Sequence, residues 1–278
     1  MKKLIFFSVL ALYVLLMPAC DKPSTSAPAA PVSLCKPLTE TTNLSGNAAV
    51  YQYIYSADGN VSSISKFTNP SHVLLDSTAV FYDHTVTYSP GNIQGSFNTL
   101  ATAYNANIFT GLPTEARQSI TLNGITQVDY WVYVFSYDTK SRLIKVAEST
   151  PHITSDLEYD LNISYNDQDN VTALNYEPTT GPRTVTVVPA SGYDDKPNPF
   201  AAIKNWPMLM HAGWGNSESE PVFTALSKNN LLGYTIPGWT KTISYTYNDK
   251  GQPLKRLSTN TTTTATYSFE EAFNYQCN

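Results

Sequence analysis

The residues of this chain with chemistry to offer are four histidines, three cysteines, a few close carboxylates and four tryptophans. His72, His84, His152 and His211 are scattered, without the HExxH or HxH spacing that puts two imidazoles on one metal ion. Turn or surface positions are expected for them, and neither a metal nor a cofactor is expected. Gly215-Asn-Ser217-Glu-Ser219 offers a serine but lacks the second glycine of a nucleophile elbow. No GxGxxG or phosphate-binding loop occurs. Asp194 and Asp195 could serve as acid and base, yet glycoside hydrolysis needs two carboxyl groups at a set separation in space. Their neighbours suit a turn better. Asp167-Gln-Asp169-Asn170 has the opening of a calcium loop without its sixth-position glycine or closing glutamate, so a hairpin turn is expected there.

Aromatic side chains are the stronger candidates. Residues 193–240 hold Pro197, Pro199, Pro207, Pro221 and Pro237 together with Trp206, Trp214 and Trp239. Proline withholds a donor from a β-ladder, so the stretch reads as an irregular insert. A short helix from about Pro199 to Met210 would start with proline in its first turn and align Ile203, Trp206 and Met210. A second short turn could cover Val222 to Leu226. Two readings stand side by side. The insert is a lid with its tryptophans as core, or Tyr193, Trp206, Trp214 and Trp239, among Asn and Asp, form a binding surface for a glycan.

Something must position these rings, and the rest of the sequence points to β-hairpins. Tyr51-Gln-Tyr53-Ile-Tyr55, Phe135-Ser-Tyr137-Asp138, Ile163-Ser-Tyr165-Asn166 and Tyr245-Thr-Tyr247-Asn248 each lead through a short polar turn into a second apolar stretch. Period-two alternation places Tyr51, Tyr53 and Tyr55 on one strand face, as it does Trp131, Tyr133, Phe135 and Tyr137. The turns carry Asp-Gly or Asn-Asp…Gly chemistry, suited to positive φ. The Thr-rich run from Thr259 to Thr266 suits a strand and, as an exposed edge, could pair with a partner. The expected fold is all-β: one large curled antiparallel sheet of repeated hairpins, open rather than closed, with the Pro/Trp-rich insert carrying one or two short helices.

These hairpins resemble the YD (RHS-type) repeat, Tyr-x-Tyr-Asp-x-x-Gly-Arg-Leu, which residues 135–143 match with Ser141 in place of glycine. In that family many tandem repeats coil into a closed shell. Here the last two units are 247 − 165 = 82 residues apart, so the resemblance covers hairpins only. Tyr193-Asp-Asp195-Lys196-Pro197-Asn198-Pro199-Phe200, Leu226-Ser-Lys228-Asn229-Asn230-Leu231, Cys35-Lys-Pro-Leu-Thr39 and Tyr275-Gln-Cys277 are similar to a group of uncharacterised Bacteroidota envelope lipoproteins. That resemblance implies an all-β envelope protein and supplies no catalytic residues. Asp76-Ser77-Thr78 fits the loose O-glycosylation pattern of such organisms, with Ser77 as acceptor.

Residues 1–19 read as a signal peptide: Lys2 and Lys3, an apolar run from Leu4 to Met17, then Pro18 and Ala19. Leu16, Ala19 and Cys20 resemble a lipobox, which implies acylation of Cys20; ordinary signal cleavage or a retained anchor are the alternatives. Acyl chains of the palmitate type, at roughly 0.8 kcal/mol per buried CH₂, would hold the protein on a membrane. Residues 20–34 are rich in Pro, Ala and Ser and form a tether, leaving 35–278 as a single all-β domain. Cys35 and Cys277 then bracket that domain. They form a disulfide, which an oxidising compartment permits, or remain two free thiols, or one is simply buried.

Composition narrows the function. Only 14% of residues are charged and the formal net charge is −5, which speaks against a nucleic-acid binder needing a basic stripe. Aromatic residues make up 12% of the 278, too many for extended disorder. The expected protein is an outer-membrane lipoprotein of the cell envelope that binds a glycan or a protein partner without catalysis. A polysaccharide hydrolase and a structural subunit of an envelope complex are the other classes.

Overall fold

The computed structural model describes residues 35–278 except 45–46, 58–59, 69–70, 72–73, 81–84, 91–98, 107–111, 123, 152–158, 180–184, 203–218 and 277–278. Alternating apolar and polar residues rich in Tyr, Thr and Val fold into β1 (Lys36–Leu44), β2 (Asn47–Tyr55), β3 (Val61–Thr68), β4 (Leu74–Val80), β5 (Thr85–Pro90), β6 (Thr99–Ala106), β7 (Pro113–Leu122) and β8 (Ile125–Tyr137). The chain continues through β9 (Leu143–Ser149), β10 (Tyr159–Tyr165), β11 (Val171–Pro178), β12 (Thr186–Pro197), β13 (Asn229–Ile236), β14 (Trp239–Tyr247), β15 (Pro253–Thr262) and β16 (Thr266–Gln276). Every strand pairs antiparallel with its neighbours in sequence. The all-β, curled-hairpin expectation holds.

The sheet is closed, not open. β1 pairs with β16, from Lys36 opposite Gln276 to Asn43 opposite Glu270, so the first and last strands complete a barrel. Closure satisfies the donors and acceptors that an open sheet leaves at its edges. The Thr-rich run is therefore not an edge: β15 is bonded to β14 on one side and β16 on the other.

Strand alternation separates two faces. On β15, Arg256, Ser258 and Asn260 are buried while Lys255, Leu257 and Thr261 are exposed. On β14, Lys241 and Ile243 turn inward; Thr242, Ser244 and Thr246 turn outward. The outward face carries ion pairs: Lys255 with Glu270 at 2.8 Å, Lys145 with Asp160 at 2.6 Å, and Arg117 with Glu115 at 2.6 Å and Asp129 at 3.0 Å. Its larger apolar residues, such as Ile54, Val134, Val187 and Leu257, are interspersed among polar ones.

The insert is shorter than the proline pattern suggests. Regular wall strands take both of its ends, with Tyr193 in β12 and Trp239 in β14. What remains is Asn198–Lys228, whose described residues form a 3-10 turn, Pro199–Ala202, and a helix, α1 (Ser219–Leu226). Pro221 sits in the first turn of α1, where a missing N–H is harmless. Both pieces pack inward. Phe223 of α1 is fully buried against Tyr234, ring centroids 5.6 Å apart. Phe200 packs edge-on to Tyr53 and Phe273, each at 6.3 Å. The neck is tied by Asn198: its N–H donates to the Lys228 carbonyl at 2.9 Å, and its amide donates to the carbonyls of Thr224 and Ser227.

Candidate functional site

The two ends of the barrel are built differently. At the proximal rim, where β1 begins and β16 ends, the recurring hairpins share one turn. Asp138, Asn166 and Asn248 each accept through Oδ1 from the backbone N–H groups two and four residues on, at 2.9–3.0 Å. The fourth residue of each turn takes positive φ: 63° at Ser141, 62° at Asp169 and 76° at Gly251. An Asx side chain and a left-handed residue thus close each hairpin, which explains the YD-like spacing.

Above these turns runs a tier of tyrosines. Tyr55, Tyr137, Tyr165, Tyr193, Tyr245 and Tyr275 each donate a hydroxyl hydrogen bond to a carbonyl of the preceding strand: Pro37 at 2.6 Å, Pro113 at 2.8 Å, Leu143 at 2.9 Å, Val171 at 2.6 Å, Leu231 at 3.0 Å and Pro253 at 2.7 Å. Burial pushes these phenols up, Tyr137 to about 12 and the others further. They stay protonated donors and serve as fasteners, which is the role of Tyr193. Its oxygen also accepts from Ser227 at 2.9 Å.

The carboxylate pair separates. Asp194 accepts from the backbone N–H of Lys196 at 2.9 Å, from Asn230 and from the Tyr247 hydroxyl, whereas the Asp195 side chain is 85% exposed. One member is a structural acceptor, so the two do not form an acid–base site. Asp167–Asn170 is a hairpin turn, and no group of three or more metal-ligating side chains occurs among the described residues.

A cleft of about 340 Å³ opens at this rim between Lys140, Arg142, Asp169 and Lys228. Arg142 is held by Asp138 at 2.7 Å and Asp169 at 2.8 Å, and Lys140 reaches Asp169 at 3.5 Å. Its charges are largely matched within the wall.

The distal rim also carries aromatic side chains. Trp131 on β8 stands opposite buried Gln118, and Tyr267 on β16 opposite buried Asn260, so both face inward. Trp239 precedes inward Lys241 by two residues on β14 and meets Tyr234 edge-on at 5.3 Å. Tyr176 on β11 packs against the same apolar core. Trp131 and Trp239 are half-buried and Tyr267 is 52% exposed. Rings presented at the end of a rigid wall can stack against the apolar face of a sugar at low entropic cost. Glu148, opposite Tyr133, is an inward carboxylate near these rings, and Glu220 is held by Lys241, two residues from Trp239.

Of the predicted ligand-binding residues, Tyr193 and Trp239 lie at opposite ends. They face Leu231 and Ile236 of β13, five residues apart, which is about 17 Å along a strand. Trp206 and Trp214 lie outside the described residues, as do Cys20 and Cys277. Cys35 is buried and disulfide-bonded. The closing ladder ends at Lys36 opposite Gln276, one residue inside Cys35 and Cys277. Ser77 lies within β4, opposite Ser65 of β3 and Ser89 of β5. Trp131 was missed, although its place in the Trp131–Tyr137 alternation fixed its face; only the end of the barrel at which it sits needed the fold.

No known protein-family model matches this chain, and no curated protein does either. Solved structures similar to it include two porin-like proteins. A porin-like protein from Bacteroides uniformis ATCC 8492 aligns over 88% of this chain and 99% of its own, at 14% identity and TM-score 0.58. A porin-like protein from Bacteroides vulgatus ATCC 8482 aligns over 87% and 99%, at 12% identity and TM-score 0.51. The likeness defines the class of fold, an antiparallel β-barrel.

Proposed function

We propose that the chain is an envelope lipoprotein, acylated at Cys20 and tethered by residues 21–34, whose barrel stands in water and binds a glycan at its distal aromatic rim without catalysis. The observation that carries this reading is the division of the wall: among the described side chains the outward face is mainly polar and charged, and aromatic rings face inward at one end. A barrel spanning a bilayer needs an outward apolar band roughly 25 Å tall with aromatic girdles. Here the outward positions of β14 are Thr240, Thr242, Ser244 and Thr246, and those of β15 and β16 include Lys255 and Glu270. The porin-like neighbours support an envelope setting, but this outward face argues for a barrel beside the membrane. Joining Cys35 to Cys277 would fasten the two ends of the closing seam at the proximal rim.

The test uses the mature lipoprotein in mild detergent, screened against a broad glycan array with tryptophan emission as readout. Saturable binding with an emission shift is expected, and Trp239→Ala should weaken it at least about tenfold, the loss of ~1.4 kcal/mol. Silence across the array from folded protein would overturn the glycan reading. A protein partner would then be the stronger candidate, meeting exposed Ile125, Val128 and Val185 near the same rim.

A further inference from the structure

Inside the barrel, carboxylates from three structural elements converge on one guanidinium. Arg256 of β15 pairs with Glu271 of β16, with Glu220 of α1 at 3.0 Å and with Glu40 of β1 at 3.4 Å. Lys241 of β14 also pairs with Glu220. Tyr53 of β2 donates its hydroxyl to Glu40 at 2.9 Å. Tyr245 and Tyr275 flank the group with buried phenols, Phe273 lies 5.7 Å from the guanidinium, and the 3-10 turn contributes the apolar side chains of Pro199 and Phe200. Glu40, Glu271, Lys241 and Arg256 are each no more than 8% exposed.

The charges do not balance. Among the described side chains three carboxylates face two cations, and an uncompensated charge in a desolvated interior is costly. One proton removes the imbalance. Glu40 and Glu271 stand on either side of the β1–β16 ladder, where Thr42 is opposite Glu271 and Glu40 opposite Phe273. The excess charge therefore falls on the seam that closes the barrel.

We propose that Glu40, which shares the Arg256 guanidinium with Glu271, carries one proton in mildly acidic solution, and that this proton latches the closing seam and, through Arg256 and Glu220, the inner helix. Burial pushes the Glu40 carboxyl up most strongly; Arg256 pulls it back and Glu271 raises it further, leaving it at about 7. A carboxyl raised on folding contributes stability that is complete below its unfolded value and lost as pH rises through the folded one. Glu220 works in the opposite direction. Burial raises it, but Arg256 and Lys241 outweigh that and hold it below the usual carboxylate value. Its contribution is present above that usual value and lost as pH falls through the lowered one. The seam is accordingly tightest in mildly acidic solution and loosens as pH rises through about 7.

The experiment is hydrogen exchange of the full chain at pH 6 and pH 9, corrected for intrinsic rates, together with infrared detection of a protonated carboxyl. Protection of the β1 and β16 amides should fall roughly tenfold or more at pH 9, while β9–β11 change little. The protonated-carboxyl band should be present at pH 6 and lost at pH 9. Glu40→Gln should remove both the band and the pH dependence of the seam. If the wild-type chain shows no such band at pH 6, or if the seam of Glu40→Gln keeps the same pH dependence, the latch is overturned. The wild-type infrared result decides the matter even if the variant does not fold.

Discussion

The interior of this barrel holds two regions that solve the same packing problem with opposite chemistry. From β6 to β14 the inward side chains are Tyr104, Ala116, Phe135, Leu161, Leu174 and Val188, closed by Val222, Phe223 and Ala225 of α1. From β14 through the seam to β2 they include Lys241, Arg256, Ser258, Asn260, Glu271, Glu40 and Thr42. The first region gains stability in proportion to the apolar area removed from water, and it tolerates small shifts. The second gains little from burial, because desolvating charges offsets much of their attraction. What it supplies is position: pairs that are satisfied only when β1, β15, β16 and α1 meet in one register. Ser258 Oγ and Asn260 Oδ1 have no hydrogen-bond partner there, so this side is also the less completely satisfied. The wall therefore closes on its polar side and is stabilised on its apolar side.

Breaking each region should expose the difference. Arg256→Ala strands three buried carboxylates beside Lys241 and should cost about 3–5 kcal/mol. Its destabilisation should grow with pH in thermal melts, since the remaining carboxylates must be neutralised. Phe223→Ala opens a cavity in the apolar region and should also cost roughly 3–5 kcal/mol, with the same loss at pH 6 and pH 9. Equal pH dependence for the two variants would erase the distinction. At the proximal rim, Tyr165→Phe removes one hydroxyl fastener and should cost about 1 kcal/mol in denaturant titration. Ser141→Gly relieves a left-handed residue at the position where the equivalent turn has Gly251, and should raise stability by about 0.5–1 kcal/mol.

The hairpins were legible because their information is local. Asp138 and Ser141, or Asn248 and Gly251, specify a turn by themselves, and alternation around Tyr53 or Tyr133 specifies a buried face. Closure was not legible, because no residue of β1 announces that its partner lies more than 200 positions away. The same holds for Thr259–Thr266, whose composition suits an edge and a central strand equally well. Within the proline-rich stretch, the prolines marked an interruption correctly. They could not tell that Tyr193 and Trp239 belong to the walls on either side of it, or that α1 turns into the barrel.

The candidate site divides in the same way. Aromatic residues were recognised as the functional candidates from their number and flanking Asn and Asp. Their sorting into fasteners and exposed rings depends on which end of a strand each occupies. Tyr193 meets a carbonyl of β11, whereas Trp239 meets Tyr234 near the distal rim. Arg256, Glu40, Glu220 and Glu271 carry no sequence signal at all, since they come from β1, α1 and the β15–β16 hairpin and are ordinary charged residues until those segments meet.

The amino-acid sequence by itself determined the local grammar of this protein: strands of period two, turns closed by an Asx side chain and a left-handed residue, and an insert marked by proline. These follow from backbone sterics and near-neighbour hydrogen bonds, which act over a few residues. Only the tertiary structure decided that the sheet closes, that one side of its interior is apolar and the other ionic, and which aromatic rings reach the distal rim. Those outcomes depend on contacts between residues far apart in the chain, where burial and charge compensation are settled only once every strand has found its partner.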